Sequence, residues 1–175
     1  MVACVALAVS LTVAAVQTDF AGRWTTDPDP AAPAPAGPGQ GRGGPARGDM
    51  GSGWGPTITI AQDTGRLTVE YAFFARGDMQ PPLRFAYALD GSATKNTVMM
   101  GHGMQTQVST AKWDGARLVI RTGHSFIDAA TGKPATTEVT QTLSLESPSS
   151  LVVETTRAGV NGGPPSTTRT TYRKL

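Results

Sequence analysis

Cysteine is nearly absent: the 175 residues hold one, Cys4, inside an apolar stretch at the start of the chain. With that stretch removed no thiol is left, which excludes disulfides, thiolate metal sites and a cysteine nucleophile together. Histidine occurs only at His102 and His124, too seldom for a histidine-rich zinc site. The pair leaves few options for a histidine-based triad, and no Gly-x-Ser-x-Gly elbow accompanies it. Ser125 follows His124 in sequence, which does not make a hydrogen-bonded pair in space. Charge is scarce too, at 16% of residues, and the net +2 is spread along the chain rather than gathered on one face. Nucleic acid is therefore not an expected partner, because neutralising phosphates takes clustered cations. No apolar run reaches the roughly 20 residues that carry a helix across a bilayer, so no stable membrane span is expected. Nor does an apolar period of 3.6 run long enough to make a helix.

What the chain does have begins with residues Val2 to Val16, which carry no charge. Their length and composition fit the apolar region of a secretory signal, and Val13, Ala14 and Ala15 supply small residues for cleavage. Residues 1–15 are thus expected to be a signal peptide, and the mature protein periplasmic or secreted. Cys4 sits within the run rather than after it, unlike the cysteine of a lipoprotein signal. No Lys or Arg precedes the run, so the expected true start lies upstream of Met1. The alternative is a buried N-terminal strand or helix.

The mature chain reads as one domain, 18–175, interrupted once. Thr18 to Thr25 make a short first strand. Residues 27–56 then lose all periodicity in a run of Pro, Gly and Ala. Proline lacks a donor and glycine loses the most entropy on ordering, so this stretch is expected as a disordered insertion between the first two strands. Trp54, near its end, is the candidate to anchor it back. From Thr57 onward the pattern has period two: Ile58 and Ile60; Leu67, Val69, Tyr71 and Phe73; Val139, Gln141, Leu143 and Leu145; Leu151, Val153 and Thr155. Alternation of this kind gives each strand one wet and one buried face. Asp63-Thr64-Gly65, Asp90-Gly91, Asp114-Gly115, Thr131-Gly132-Lys133-Pro134 and Ser147-Pro148-Ser149 punctuate the runs with turn chemistry. Such short links join only antiparallel neighbours. The expected fold class is all-β, an antiparallel up-and-down meander of about 8–10 strands that closes into a barrel and so removes its edges.

Asp19-Phe20-Ala21-Gly22-Arg23-Trp24, the Ile-rich strand ending in Gln62, Ala88-Leu89-Asp90-Gly91, and Ala111-Lys112-Trp113-Asp114-Gly115-Ala116-Arg117-Leu118-Val119-Ile120 resemble exported lipocalin-like proteins of environmental bacteria. The resemblance runs over most of the mature chain apart from the insertion, and the Trp-Asp-Gly turn before Leu-Val-Ile is its most specific element. It implies a calycin-type, lipocalin-like β-barrel and carries no activity with it. Gly22-x-Trp24 is also similar to the Gly-x-Trp of true lipocalins, whose indole closes the barrel base beneath a basic side chain of the last strand. That likeness gives Gly22, Trp24 and Trp113 structural roles and nominates Arg169 or Arg173 to cover Trp24 by a cation–π contact.

Three sets of side chains remain as candidates for function. Tyr71, Phe73, Phe85, Tyr87 and Phe126 would point inward and either fill the barrel or wall a ligand cavity at one mouth. Met100, His102 and Met104 would fall on one face if 99–104 were a single strand, and thioether with imidazole suits Cu(I). The plainer reading makes those methionines interior filling and the glycines a bend. Glu70, Glu138 and Glu154 lie opposite apolar rows and are expected in water. Arg47-Gly48-Asp49 and Arg76-Gly77-Asp78 read as turns. The leading expectation is an exported, non-enzymatic barrel that binds a small apolar or amphipathic molecule. The alternative is an envelope structural or protein-interaction module with a filled barrel; copper binding comes third. An enzyme is least supported, because no nucleophile, base and orienting group assemble, and no cofactor is implied.

Overall fold

The computed structural model describes residues 17–26, 53–71, 81–100, 103–127, 132, 134–159 and 164–175. The expected signal segment and most of the 27–56 insertion lie outside those residues, as do Phe73 and His102. Ten strands follow in order: β1 (Gly22–Thr26), β2 (Thr57–Gln62), β3 (Arg66–Tyr71), β4 (Leu83–Ala88), β5 (Thr94–Met100), β6 (Gly103–Asp114), β7 (Arg117–Ile127), β8 (Pro134–Ser147), β9 (Ser150–Arg157) and β10 (Ser166–Lys174). They form one sheet ordered β4-β3-β2-β1-β10-β9-β8-β7-β6-β5. Every pairing is antiparallel, and sequence neighbours pair as the short turns require. The expected all-β meander is what forms.

Closure comes from the chain's two ends. β1 lies between β2 and β10, with Trp24 opposite Ile58 on one side and Lys174 on the other. The single break in the ring therefore falls between β4 and β5, which make no backbone ladder among the described residues. Side chains bridge it instead. Asn96 accepts from the Ala86 amide at 2.8 Å and donates to the Ala86 carbonyl at 2.9 Å, so its amide does the work of a strand's backbone. The Thr94 hydroxyl accepts from the Ala88 amide at 3.0 Å. The result is a nearly complete barrel, consistent with a calycin-like architecture.

The two ends of the barrel differ. One carries the tight turns after β2, β4, β6 and β8, and there residues 17–21 run across the opening. Phe20 accepts the indole N–H of Trp24 at 3.0 Å and stacks on Trp113 with centroids 5.9 Å apart. Gln62 accepts from the Phe20 amide at 3.0 Å and donates to the Thr18 carbonyl at 2.8 Å, while the Thr18 hydroxyl donates to Ala116 at 2.7 Å. Phe20, Trp24, Leu118, Ile120, Leu143, Leu151 and Tyr172 are buried within 0% exposure beneath this cap, a sealed apolar core. The strand ends Thr26, Thr57, Tyr71 and Leu83 lie at the opposite end.

Gly22 is a position where this closed end depends on a missing side chain. Its φ is +146°, and a Cβ there would stand 2.7 Å from Lys174 Cε. The lysine stem occupies that space and carries Nζ to 5.3 Å from the Trp24 ring centroid. The cation over Trp24 is thus Lys174, which corrects the expectation of Arg169 or Arg173. Strand parity explains the miss: Arg173 pairs with Thr25 and lies on the opposite face from Trp24, whereas Lys174 pairs with Trp24 itself. Arg169 is on the outer face too, bonded to Glu146 and, at 3.3 Å, to Glu154.

Candidate functional site

The inner rows of four adjacent strands change character on the way to the open end. In β6 they run Trp113, Ala111, Ser109, Gln107; in β7, Leu118, Ile120, Thr122, His124; in β8, Leu143, Gln141, Val139, Thr137; in β9, Leu151, Val153, Thr155, Arg157. Register sets Ser109 opposite Thr122, Thr122 opposite Val139, and Val139 opposite Arg157, and one step deeper Gln141 of β8 lies opposite Thr155 of β9. The hydroxyls of Ser109 and Thr122 bond each other at 2.8 Å. Across the lumen, β3 and β4 stay apolar and aromatic: Tyr71 and Phe85 stack with centroids 5.9 Å apart, and Tyr87 lies one step deeper.

Between these two walls lies a cavity of about 400 Å³, lined by Tyr71, Phe85, Tyr87, Gln107, Thr122, His124, Thr137, Val139, Gln141, Arg157 and Ala158, with Gly53 and Trp54 over it. Gly53 to Pro56 are held by the barrel's phenols and by β1. Tyr71 donates to the Gly53 carbonyl at 3.3 Å, Tyr172 to the Gly55 carbonyl at 3.0 Å, and the Thr26 amide to the Pro56 carbonyl at 2.8 Å. The Trp54 indole, a donor only, bonds the Tyr87 side chain. Trp54 therefore anchors the end of the insertion, as its sequence position suggests, and it also roofs the cavity.

Burial controls the ionisation of the lining groups. It pushes the Tyr71 phenol up to about 12, and raises Tyr87 further against the opposing effect of its Trp54 hydrogen bond. Both phenols are neutral donors at physiological pH. His124 is half-buried, and its pKa is lowered first by desolvation and then by the charge of Arg157. Arg157 is left as the lining residue that carries a formal charge near neutrality, since no Asp, Glu or Lys lines the cavity among the described residues.

Of the aromatic residues expected to wall a ligand site, Tyr71, Phe85 and Tyr87 do line the cavity. Phe73 lies outside the described residues; Phe126 is on β7 opposite Ala135, and its side chain is also outside them. Trp113 and Trp24 belong to the closed end. The single-strand premise of the Met/His row is corrected: Met100 of β5 pairs with Gly103 of β6 and Met99 with Met104, antiparallel, while His102 lies outside the described residues. Met104 is 63% exposed. Among the described residues no group of three or more His, Cys, Asp or Glu is placed to hold a metal. Glu70, Glu138 and Glu154 are exposed, as expected. Sequence reasoning did not find Gln107, Thr122 and Arg157 as lining residues. The signal was present as polar residues continuing an apolar inner row at the same parity.

Comparison with protein-family models, curated proteins and solved structures finds no match to this chain. Among the described residues no helix is long and apolar enough to cross a membrane. The class that the fold and cavity define is a ten-stranded antiparallel β-barrel sealed at one end.

Proposed function

We propose that this chain is an exported, non-enzymatic β-barrel, akin to lipocalin-like carriers, that holds a small amphipathic molecule in its lumen. The observation that carries the reading is the split lining: an aromatic wall from β3 and β4 faces a polar wall from β6 to β9 across about 400 Å³. Sites for small organic molecules are concave, mostly apolar and furnished with a few convergent polar groups. At roughly 30 Å³ per water, this volume corresponds to about a dozen waters, the displacement of a compact ligand rather than a long lipid. A module that used only its outer surface would have no need of a polar inner wall. The export part of the reading rests on the uncharged run at residues 2–16.

The test is a fluorescence titration of the mature protein with naphthalene dyes and medium-chain fatty acids. Saturable one-to-one binding that quenches or shifts Trp54 emission supports the proposal, with Trp54→Phe identifying the reporter. Absence of saturable binding by every probe would remove it.

A further inference from the structure

We infer that Trp54 holds the place of the ligand's own aromatic head. The lumen takes a planar aromatic molecule with an N–H or O–H donor on its edge, and that molecule enters by displacing the Trp54 indole from Tyr87. This inference rests on the cavity being a ligand site and adds the ligand's chemical class and its mode of entry.

Tyr87 lies on β4, one step deeper than the stacked Tyr71 and Phe85, and is 3% exposed. A hydroxyl so far from water needs a polar partner. Trp54 supplies it by donating its indole N–H, and the rest of the indole packs against the buried apolar cluster of the barrel. The aromatic wall therefore already receives a flat bicycle with one donor on its edge, brought by the chain itself. About 400 Å³ of cavity remains beside that bicycle, bounded on its other side by the inner rows of β6 to β9. A molecule with the same head and a short substituent would use both spaces.

The segment carrying Trp54 is tied down at Pro56, and its described hydrogen bonds lengthen toward Gly53. The Pro56 carbonyl accepts from the Thr26 amide at 2.8 Å, the Gly55 carbonyl from Tyr172 at 3.0 Å, and the Gly53 carbonyl from Tyr71 at 3.3 Å. Glycines flank the indole on both sides, so the backbone can turn there with little steric resistance. A Cβ at Gly53 would stand 3.5 Å from Gln141 Nε2 and 3.7 Å from Arg157 Nη2, ordinary contact distances. The segment thus spans the lumen from the aromatic wall to the polar wall. Swinging Trp54 out uncovers the cavity and the Tyr87 hydroxyl in one movement. An incoming donor then restores the lost hydrogen bond, whereas a ligand without one leaves that hydroxyl stranded.

The experiment uses the mature protein, isotope-labelled at nitrogen, and two probes of one shape: indole, and benzofuran, in which oxygen replaces the N–H. The Trp54 side-chain N–H resonance, identified by its loss in Trp54→Phe, reports whether the indole stays on Tyr87. Saturating indole is expected to move it to the position of a solvent-exposed tryptophan. Benzofuran should bind about fivefold more weakly or worse, and Tyr87→Phe should erase that preference. Trp54→Ala removes the competitor, so indole should bind it about tenfold tighter than wild type and raise its Tm toward the wild-type value. Should the naphthalene dyes bind while indole does not, or while the Trp54 resonance stays in place, the inference fails and the cavity reading stands. Equal wild-type affinity for indole and benzofuran overturns the inference in the same way. Failure of every probe on both wild type and Trp54→Ala overturns both. If Trp54→Ala does not fold, the wild-type resonance and the indole-to-benzofuran ratio still decide.

Discussion

The seam between β4 and β5 is where the fold relies on side chains to do what backbone does elsewhere, and it gives a sharp test of the architecture. Asn96 is 7% exposed and its amide satisfies both the N–H and the C=O of Ala86. Asn96→Ala deletes two hydrogen bonds and leaves two half-buried backbone groups without replacement partners. At ~1 kcal/mol net for each bond, plus part of the desolvation penalty of the stranded groups, the expected loss is about 2–4 kcal/mol. For a chain of this size that is a fall in Tm of roughly 5–15 °C. Asn96→Asp separates the two bonds. Its carboxylate still accepts from Ala86 N–H but sets a second oxygen against the Ala86 carbonyl, so at pH 7 it should lose at least as much as the alanine variant. Acid should then recover part of that loss relative to wild type, as the protonated carboxyl regains a donor. Urea unfolding measures the free energies, and hydrogen exchange at Ala86 locates the change. An Asn96→Ala protein within about 0.5 kcal/mol of wild type would show that the seam needs no bridge, and the account of closure would be wrong.

Other expectations follow from the two ends of the barrel. Gly22→Ala should cost about 1–3 kcal/mol, since it strains a positive φ and displaces the Lys174 stem, and loss of the tryptophan spectral signature of Trp24 should accompany it. Leu143→Ala, at 0% exposure in the sealed core, should cost about 2–5 kcal/mol by urea unfolding and leave probe affinity unchanged. His124 has a folded pKa below its ordinary 6.5, so the unfolded chain binds more protons as pH drops through that value. Stability should therefore be full above about 6.5 and decline below it until the folded pKa is reached, with His124→Gln flattening that decline. Thr122→Val should cost about 1–3 kcal/mol by urea unfolding, because it strands the buried Ser109 hydroxyl that Thr122 bonds at 2.8 Å, and should weaken probe binding.

The strands were legible because alternation in β2, β3, β8 and β9 is physically dictated: a sheet with one dry face must repeat every second residue. Trp54 was legible as an anchor because a lone indole ending a Pro/Gly run has few other uses. The seam was not legible, since Asn96 in a strand reads as an ordinary surface residue until its neighbour's missing ladder is known. The cation over Trp24 was missed for want of parity. Tyr172 is fully buried, so Lys174 shares its face and Arg173 does not, a deduction that needed only the correct inward residue on β10. The single-strand geometry of the Met/His row does not hold for the opposite reason: Met100 and Gly103 pair antiparallel, whereas the row of two-residue steps assumed one continuous strand.

Polar residues on the inner rows of β6, β7, β8 and β9 are a cost to the fold that the apolar rows at the other end do not bear, because each must find partners away from water. Four adjacent strands bear that cost over neighbouring levels of one wall, while β3 and β4 opposite them present aromatic and aliphatic side chains. Random drift would scatter polar residues around the barrel, and a need for solubility would place them on the outer face. Alignment on one wall, facing stacked rings, instead gives the lumen one polar and one apolar side. The closed end, with its indole, phenol and buried leucines under residues 17–21, provides the stability that lets the other end remain incompletely packed.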